Sequence, residues 1–499
     1  MSDAAKPASG ADLPEHRLVI GVECHVQLDT KSKAFCSCAV VFGAEPNRHV
    51  CPTCLGLPGA MPVLNRESLV QAIRGGLGLG CTIASFTKWD RKNYFYPDLP
   101  KGYQITQYDK PLCTDGAVWI DSPTRGPVKV RIQRAHLEED TGKLNHADDG
   151  TAALDYNRCG TTLLEIVTHP DLRSAEEASL YLEELRRILR CLGVSGCEME
   201  KAQLRCEPNV NVEVRIGGEW VPTRIAELKN LNSFAHVRNA IEHERGRQVR
   251  ELLATGERGP RPKSTRGWDE ANRRTYLQRA KEEAADYRYF PEPDLPPVTI
   301  AARLADEIRP TLPELPAARR RRYVETLGLS PADAAALTDE RAFAEWFEEA
   351  VAAAGGDAAA AKAVANWTMT DVRRELNARG GDLAAFPLKA SDFGAFVKAV
   401  QAGELPREAA KTDVLPAMAA TGRPWQDIAK EKGLAAVQGD ALRDACLASL
   451  AANPDVVAKW KSGKTAVKGV LVGDVMKRTR GSADAKRVGA LLDELLAQA

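Results

Sequence analysis

Four cysteines in one short stretch have the spacing of metal ligands. Cys36-x-Cys38 is followed, after twelve intervening residues, by Cys51-x-x-Cys54 with a Pro-Thr pair inside the second knuckle. This is close to the pattern of tetrahedral four-cysteine zinc sites. Four thiolates leave no position open, so a zinc ion bound here is structural; the plainer alternative is four reduced thiols packed as small apolar groups. The chain has twelve cysteines but no export signal, which points to a reduced, cytoplasmic protein rather than a disulfide framework.

A second set of residues carries charge. In RLVIGVECHVQL, alternation places Leu18, Ile20, Val22, Val26 and Leu28 on one face of a strand and Glu23, His25 and Gln27 on the other. NVNVEVRI repeats the device, with Asn209, Asn211, Glu213 and Arg215 as its polar face. Between them, HLEEDTGK carries Glu138, Glu139 and Asp140 after His136, and Glu165 interrupts the apolar run TTLLEIVT. Clustered carboxylates suit a hard cation such as Mg2+. The competing readings are a strand edge facing water, a solvated acidic turn and a satisfied buried acid. The run KWDRKNYFYPDLPKGYQITQYD interleaves Lys88, Arg91, Lys92 and Lys101 with Tyr94, Phe95, Tyr96 and Tyr103, so cations that hold phosphates stand among rings that stack on bases. An aromatic-rich structural loop would have the same composition. Neither a Walker loop nor a kinase glycine loop is present, and no glutaminase nucleophile motif is recognisable.

The elements that must position these groups divide the 499 residues into segments of different texture. Residues 1–16 are Ala-, Pro- and Ser-rich and are expected to be disordered. From 17 to 297, period-two runs mix with helical ones, which predicts an α+β domain. Residues 298–430 have helical spacing throughout, and 431–499 form a small helical tail that concentrates lysine and arginine. Lys+Arg and Asp+Glu both number 68, so any nucleic-acid surface must come from local clustering. No window is long and apolar enough to span a bilayer.

Taken together, GVECHVQL, CPTCLGLPGAMPVLN, DRKNYFYPDLPKGYQITQYD, HLEEDTGK, DYNRCGTTLLEIVTHPD, AELKNLNSF, DYRYFPEPDL and VLVGDVMKRTRG resemble the B-subunit family of the bacterial Asp/Glu-tRNA amidotransferases, over nearly the whole chain. The resemblance implies an α+β, cradle-like catalytic domain with an antiparallel, glutamine-synthetase-like sheet and a zinc-binding insertion, then an all-helical domain and a tRNA-binding tail. It implies a ligase reaction in which ATP phosphorylates the side-chain carboxylate of Glu-tRNA(Gln) or Asp-tRNA(Asn) and ammonia displaces the phosphate. Ammonia would come from an amidase-like, glutamine-cleaving A subunit, with a small C subunit completing a heterotrimer.

Carried onto this sequence, the resemblance makes Glu23, His25, Glu139 and Glu165 the Mg2+ ligands, with Glu138 in support. Lys92, helped by Arg91 and Lys88, would balance phosphate charge, and Tyr94 and Tyr96 would line the nucleotide or aminoacyl pocket. Lys464, Lys468, Lys477, Arg478 and Arg480 would contact RNA phosphates. Two positions depart from the family's pattern. Cys24 stands between the acid and histidine of the first strand and is expected to point into the core. Glu207-Pro208 replaces an Asp-Ala pair, which weakens any specific role for Glu207, Asn209 or Asn211. A tRNA-binding adaptor with a degenerate site is the competing function.

Overall fold

A computed structural model describes residues 13–146, 149–259, 261–280, 287–434, 439–462, 464–479 and 483–498. Most of the segment expected to be disordered, 1–12, lies outside these ranges, and the first strand has already begun at His16. The chain divides into two compact units, Met1–Leu315 and Pro316–Ala499.

The first unit is built on a sheet of thirteen strands. Those that matter here are β1 (His16–Gln27), β2 (Asp90–Asn93), β3 (Tyr103–Thr106), β4 (Cys113–Ser122), β5 (Gly126–Glu139), β6 (Thr162–Thr168), β7 (Leu204–Ile216), β8 (Ala226–Lys229), β9 (Ser264–Asp269), β10 (Arg274–Ala280) and β11 (Phe290–Pro291). Their order is β10-β9-β8-β7-β1-β6-β5-β3-β2-β11, and β4 pairs with the other end of β5. All of these neighbours are antiparallel except β8 and β9. That exception has a simple cause: the connection between them is a long helix, and a crossover of that length returns the chain in the same direction.

Alternation gives the sheet one apolar and one polar face. On β1, Leu18, Ile20, Val22, Cys24 and Val26 are at most 4% exposed, so Cys24 does point into the core. Three helices cover this side: α1 (Arg66–Gly78), α2 (Ala175–Cys191) and α3 (Phe234–Thr255). Each begins on a side-chain cap, with Asn65, Ser174 and Ser233 accepting from the amides of Glu67, Glu177 and His236. Helix α1 lies close to the sheet because Gly76 has no side chain; a Cβ there would fall 2.4 Å from Cys113 Sγ.

This unit runs to Leu315, past the Pro297 expected as its end. Proline breaks the pattern at that point, but Val298–Thr299 then pairs with Phe86–Thr87, and α4 (Ala302–Ile308) packs on α1.

The second unit is helical throughout its described residues and has two apolar cores. One gathers Phe347, Trp367, Phe393 and Phe396; the other gathers Leu442, Leu471, Val475 and Leu492. Among the described residues no helix is long and apolar enough to cross a membrane.

Candidate active site

The polar face of the sheet is the floor of a cleft of about 1390 Å3. Antiparallel register builds its centre. His25 on β1 lies opposite Glu165 on β6 and Arg205 on β7, and Glu165 lies opposite His136 on β5. His25 Nε2 is 3.3 Å from Glu138 Oε1, 3.4 Å from Glu165 Oε2 and 3.7 Å from Glu23 Oε1. His136 Nε2 is 3.7 Å from the same Glu165 oxygen. Burial alone would lower the His25 pKa, but hydrogen bonds to Glu138 and Glu165 carry it well above the ordinary imidazole value. Burial opposes ionisation of Glu165 too, yet His136, His25 and Lys92 hold its pKa well below the usual carboxylate range. Glu23 is pushed up to about 7, by burial first and then by the charge of Glu165.

Two overlapping sets of donors converge here: Glu23, His25 and Glu165, and His136, Glu138 and Glu165. Within each set the ligating atoms lie within 4.8 Å of one another. The fit to a divalent cation rests on this crowding. Several carboxylates share a small buried volume, and a cation among them would restore the ionised state that Glu23 loses. Burial keeps the His136 imidazole below its ordinary pKa, and its Nδ1 has no hydrogen-bond partner among the described residues.

The expected ligand set needs one exchange. Adjacent residues of a strand point to opposite faces, so Glu138 and Glu139 cannot both reach the cleft. Glu138 is the one that does. Glu139 passes through to the other side, where it pairs with Lys101 and accepts the Ile105 amide at 2.9 Å. The same alternation separates the cations of β2. Lys92 lines the cleft, whereas Arg91 points away and is held by Glu292 at 2.7 Å and Asp294 at 3.4 Å, its guanidinium over the Tyr103 ring. Lys88 is bound to Asp90 and Asp109 at 2.5 and 2.6 Å. Neither assists Lys92.

Lys92 Nζ makes no hydrogen bond or ion pair among the described residues and lies 5.1 Å from the Tyr287 ring centre. Burial would favour its neutral form, but the charges of Glu138 and Glu165 outweigh this and keep it firmly protonated. Tyr94 and Tyr96 line the same cleft with ring centres 6.0 Å apart, and the Tyr94 hydroxyl donates to Gln104 Oε1 at 3.0 Å.

Several groups that no motif singled out also face the cleft. Arg205 donates to Asp140 at 2.8 Å, and Lys229 donates to Glu207 at 2.6 Å. Lys263 completes that side, next to Asn209 from the polar face of NVNVEVRI. The polar halves of the alternating runs QLRCEPN and AELK were the available signal, but the strand order that brings them to β1 was not.

Cys36, Cys38, Cys51 and Cys54 come together with all four Sγ atoms within 4.8 Å of one another. The Cys54 thiol is lowered to about 4, chiefly by a hydrogen bond from Cys36. The Cys51 amide donates to its sulfur at 3.1 Å, and the Lys33 ammonium lies 3.6 Å away. A thiolate held this way suits a soft tetrahedral cation.

Of the tail residues, Lys468 pairs with Asp493 and Arg478 with Asp474, each at 2.7 Å. Lys464 and Lys477 are exposed and make no ion pair among the described residues; Arg480 lies outside them.

A sheet-floored cleft thus sets an acid and imidazole cluster beside Lys92, which has no ion pair among the described residues. Comparison with known proteins gives the family. Residues 18–306 match the GatB/GatE catalytic domain and residues 345–496 match the GatB domain. A protein of Carboxydothermus hydrogenoformans, named as the B subunit of an aspartyl/glutamyl-tRNA(Asn/Gln) amidotransferase, is 45% identical, covering 97% of this chain and 99% of its own length. Proteins of the same name from Anaeromyxobacter sp. (strain K) and Rhodopirellula baltica are 47% and 44% identical, each over 96% of this chain and over 98% and 97% of their own. The chain belongs to the family of tRNA-dependent amidotransferase B subunits.

Proposed function

We propose that the cleft activates the side-chain carboxylate of Glu-tRNA(Gln), Asp-tRNA(Asn) or both with ATP and then directs its amidation. In the first step a carboxylate oxygen attacks the γ-phosphorus of ATP, the bond to the bridging oxygen breaks and ADP leaves. In the second, ammonia attacks the acyl carbon, inorganic phosphate departs and the nitrogen loses a proton. The observation that supports this most directly is Lys92, a protonated cation with no ion pair among the described residues, facing the acid cluster within one cleft.

Lys92 would balance charge on the transferring phosphoryl oxygens, which counts most in a site sheltered from water. Glu165, Glu138 and Glu23 would hold Mg2+, with His25 a ligand once the ion displaces its proton, and the ion when bound supplies further positive charge against the phosphates. Tyr94 and Tyr96 would wall the nucleotide or aminoacyl group. The four cysteines would hold a structural zinc. Ammonia would be delivered by a glutamine-cleaving A subunit, with a C subunit completing the heterotrimer, and the tail's Lys464 and Lys477 would meet tRNA phosphates.

The test uses the reconstituted three-subunit complex, with Glu-tRNA(Gln) and Asp-tRNA(Asn) supplied separately and the acyl phosphate trapped with hydroxylamine. Lys92→Ala should still cleave glutamine yet form no trapped product. Full amidation by that variant would overturn the reading; tRNA binding without ATP turnover by the unaltered complex would favour the adaptor.

A further inference from the structure

The cleft carries one ring, Phe95, that the chemistry above does not use. Phe95 is 87% exposed and its neighbour Tyr96 is 57% exposed, both on the rim of the cleft. A single exposed ring is ordinary on a folded protein; what sets Phe95 apart is that it lines the cleft beside Tyr96. The turn that carries the ring is itself braced. Gly102, with φ +74°, turns the chain beneath it so closely that a Cβ there would meet Phe95 Cε1 at 3.2 Å. The Tyr94 amide donates to Gly102 O at 3.2 Å, the Tyr156 hydroxyl donates to Pro97 O at 2.9 Å, and the Gly142 amide donates to Asp98 O at 2.8 Å. The backbone that carries Phe95 is thus braced, while the ring itself stands almost wholly open.

We propose that Phe95 is a stacking platform for an unpaired nucleotide at the 3′ end of the substrate tRNA, holding the aminoacylated terminus as it enters the cleft. This rests on the reading of the cleft as the place where the aminoacyl group is modified. An aromatic ring with a free π-face is the sequence-tolerant way to hold an unstacked base. Charge is complementary as well, since Lys263 lines the same cleft and would meet a phosphate of a strand running inward, leaving Lys92 to the transferring phosphoryl group. The position on the rim favours the incoming strand over the adenine of ATP, whose phosphates must reach the acid cluster on the floor.

The experiment places a fluorescent aminopurine at the 3′-terminal base of the tRNA and titrates it with the three-subunit complex. Stacking quenches the probe. The unaltered complex and Phe95→Trp should quench it; Phe95→Leu, which keeps the apolar bulk without the π-face, should not. Phe95→Leu should also raise KM for aminoacyl-tRNA about tenfold with kcat little changed. The proposal is overturned if bound probe stays bright with the unaltered complex, if Phe95→Leu quenches equally, or if ATP releases the quench, which would assign the ring to the nucleotide. A complex that quenches but traps no acyl phosphate would remove the proposed function and leave the platform standing; acyl phosphate with a bright probe would do the reverse.

Discussion

His25 and Glu165 face each other across adjacent antiparallel strands, with His25 Nε2 3.4 Å from Glu165 Oε2, and every other donor of the acid cluster is arranged around that pair. Glu165 belongs to both candidate ligand sets, so its charge is the one the cluster can least lose. Glu165→Gln should weaken Mn2+ binding, read by electron paramagnetic resonance, by at least about tenfold, because carboxylate count sets affinity for hard cations. Unchanged Mn2+ affinity would mean that the metal sits elsewhere.

Adjacent glutamates should separate cleanly. Glu138→Gln should abolish trapped acyl phosphate with little change in melting temperature. Glu139→Ala should instead destabilise the fold by about 3–5 kcal/mol, because it leaves Lys101, only 5% exposed, buried without its partner. Adding Lys101→Met to Glu139→Ala should recover much of that loss in denaturant titrations. Equal effects of the two single substitutions on catalysis and on melting would contradict the opposite-face assignment.

The four-cysteine cluster should carry one zinc per chain by elemental analysis, and Cys51→Ser should remove it and lower the melting temperature. If purified protein has no zinc and Cys51→Ser melts like the unaltered chain, the cysteines are packing groups only.

Exposed tail lysines should act through phosphate charge alone. Replacing Lys464 and Lys477 together with Gln should weaken tRNA binding about equally for all tRNAs and reduce the salt-dependence slope by roughly two. Lys468 and Arg478, already engaged by Asp493 and Asp474, should contribute less when replaced. A loss confined to one tRNA would indicate base recognition instead.

Much of this was legible before the structure, and the limits have a physical cause. Period-two alternation is a local property, so Glu23 and His25 could be placed together on β1, and an acid inside the apolar run of β6 drew attention to Glu165. Alternation does not say which face is which in a segment like HLEED, where polar and apolar positions do not separate, so it could not correct the resemblance, which implies Glu139 as the ligand and Glu138 as its support. Arg91 and Lys88 are expected to help Lys92, but alternation turns Arg91 to the other face, and the partners that occupy the two, Glu292 and Asp294 for Arg91 and Asp109 for Lys88, lie as far as some two hundred residues away in the chain. Arg205 and Lys229 depend on strand order, which pairs β7 with β1 across a long stretch of chain and leaves no local trace.

The back-to-back placement of Glu138 and Glu139 makes folding accuracy part of the chemistry. If β5 paired one residue out of step, the two carboxylates would trade faces, withdrawing an acid from the cleft and stranding Lys101 at once. The irregularity between Val167 and Thr168, where β6 changes register against β5, is well placed to stop such a slip. Proofreading of the site is thus built into the sheet: a misaligned strand forfeits catalysis and an internal ion pair together, so the inactive form is also the less stable one.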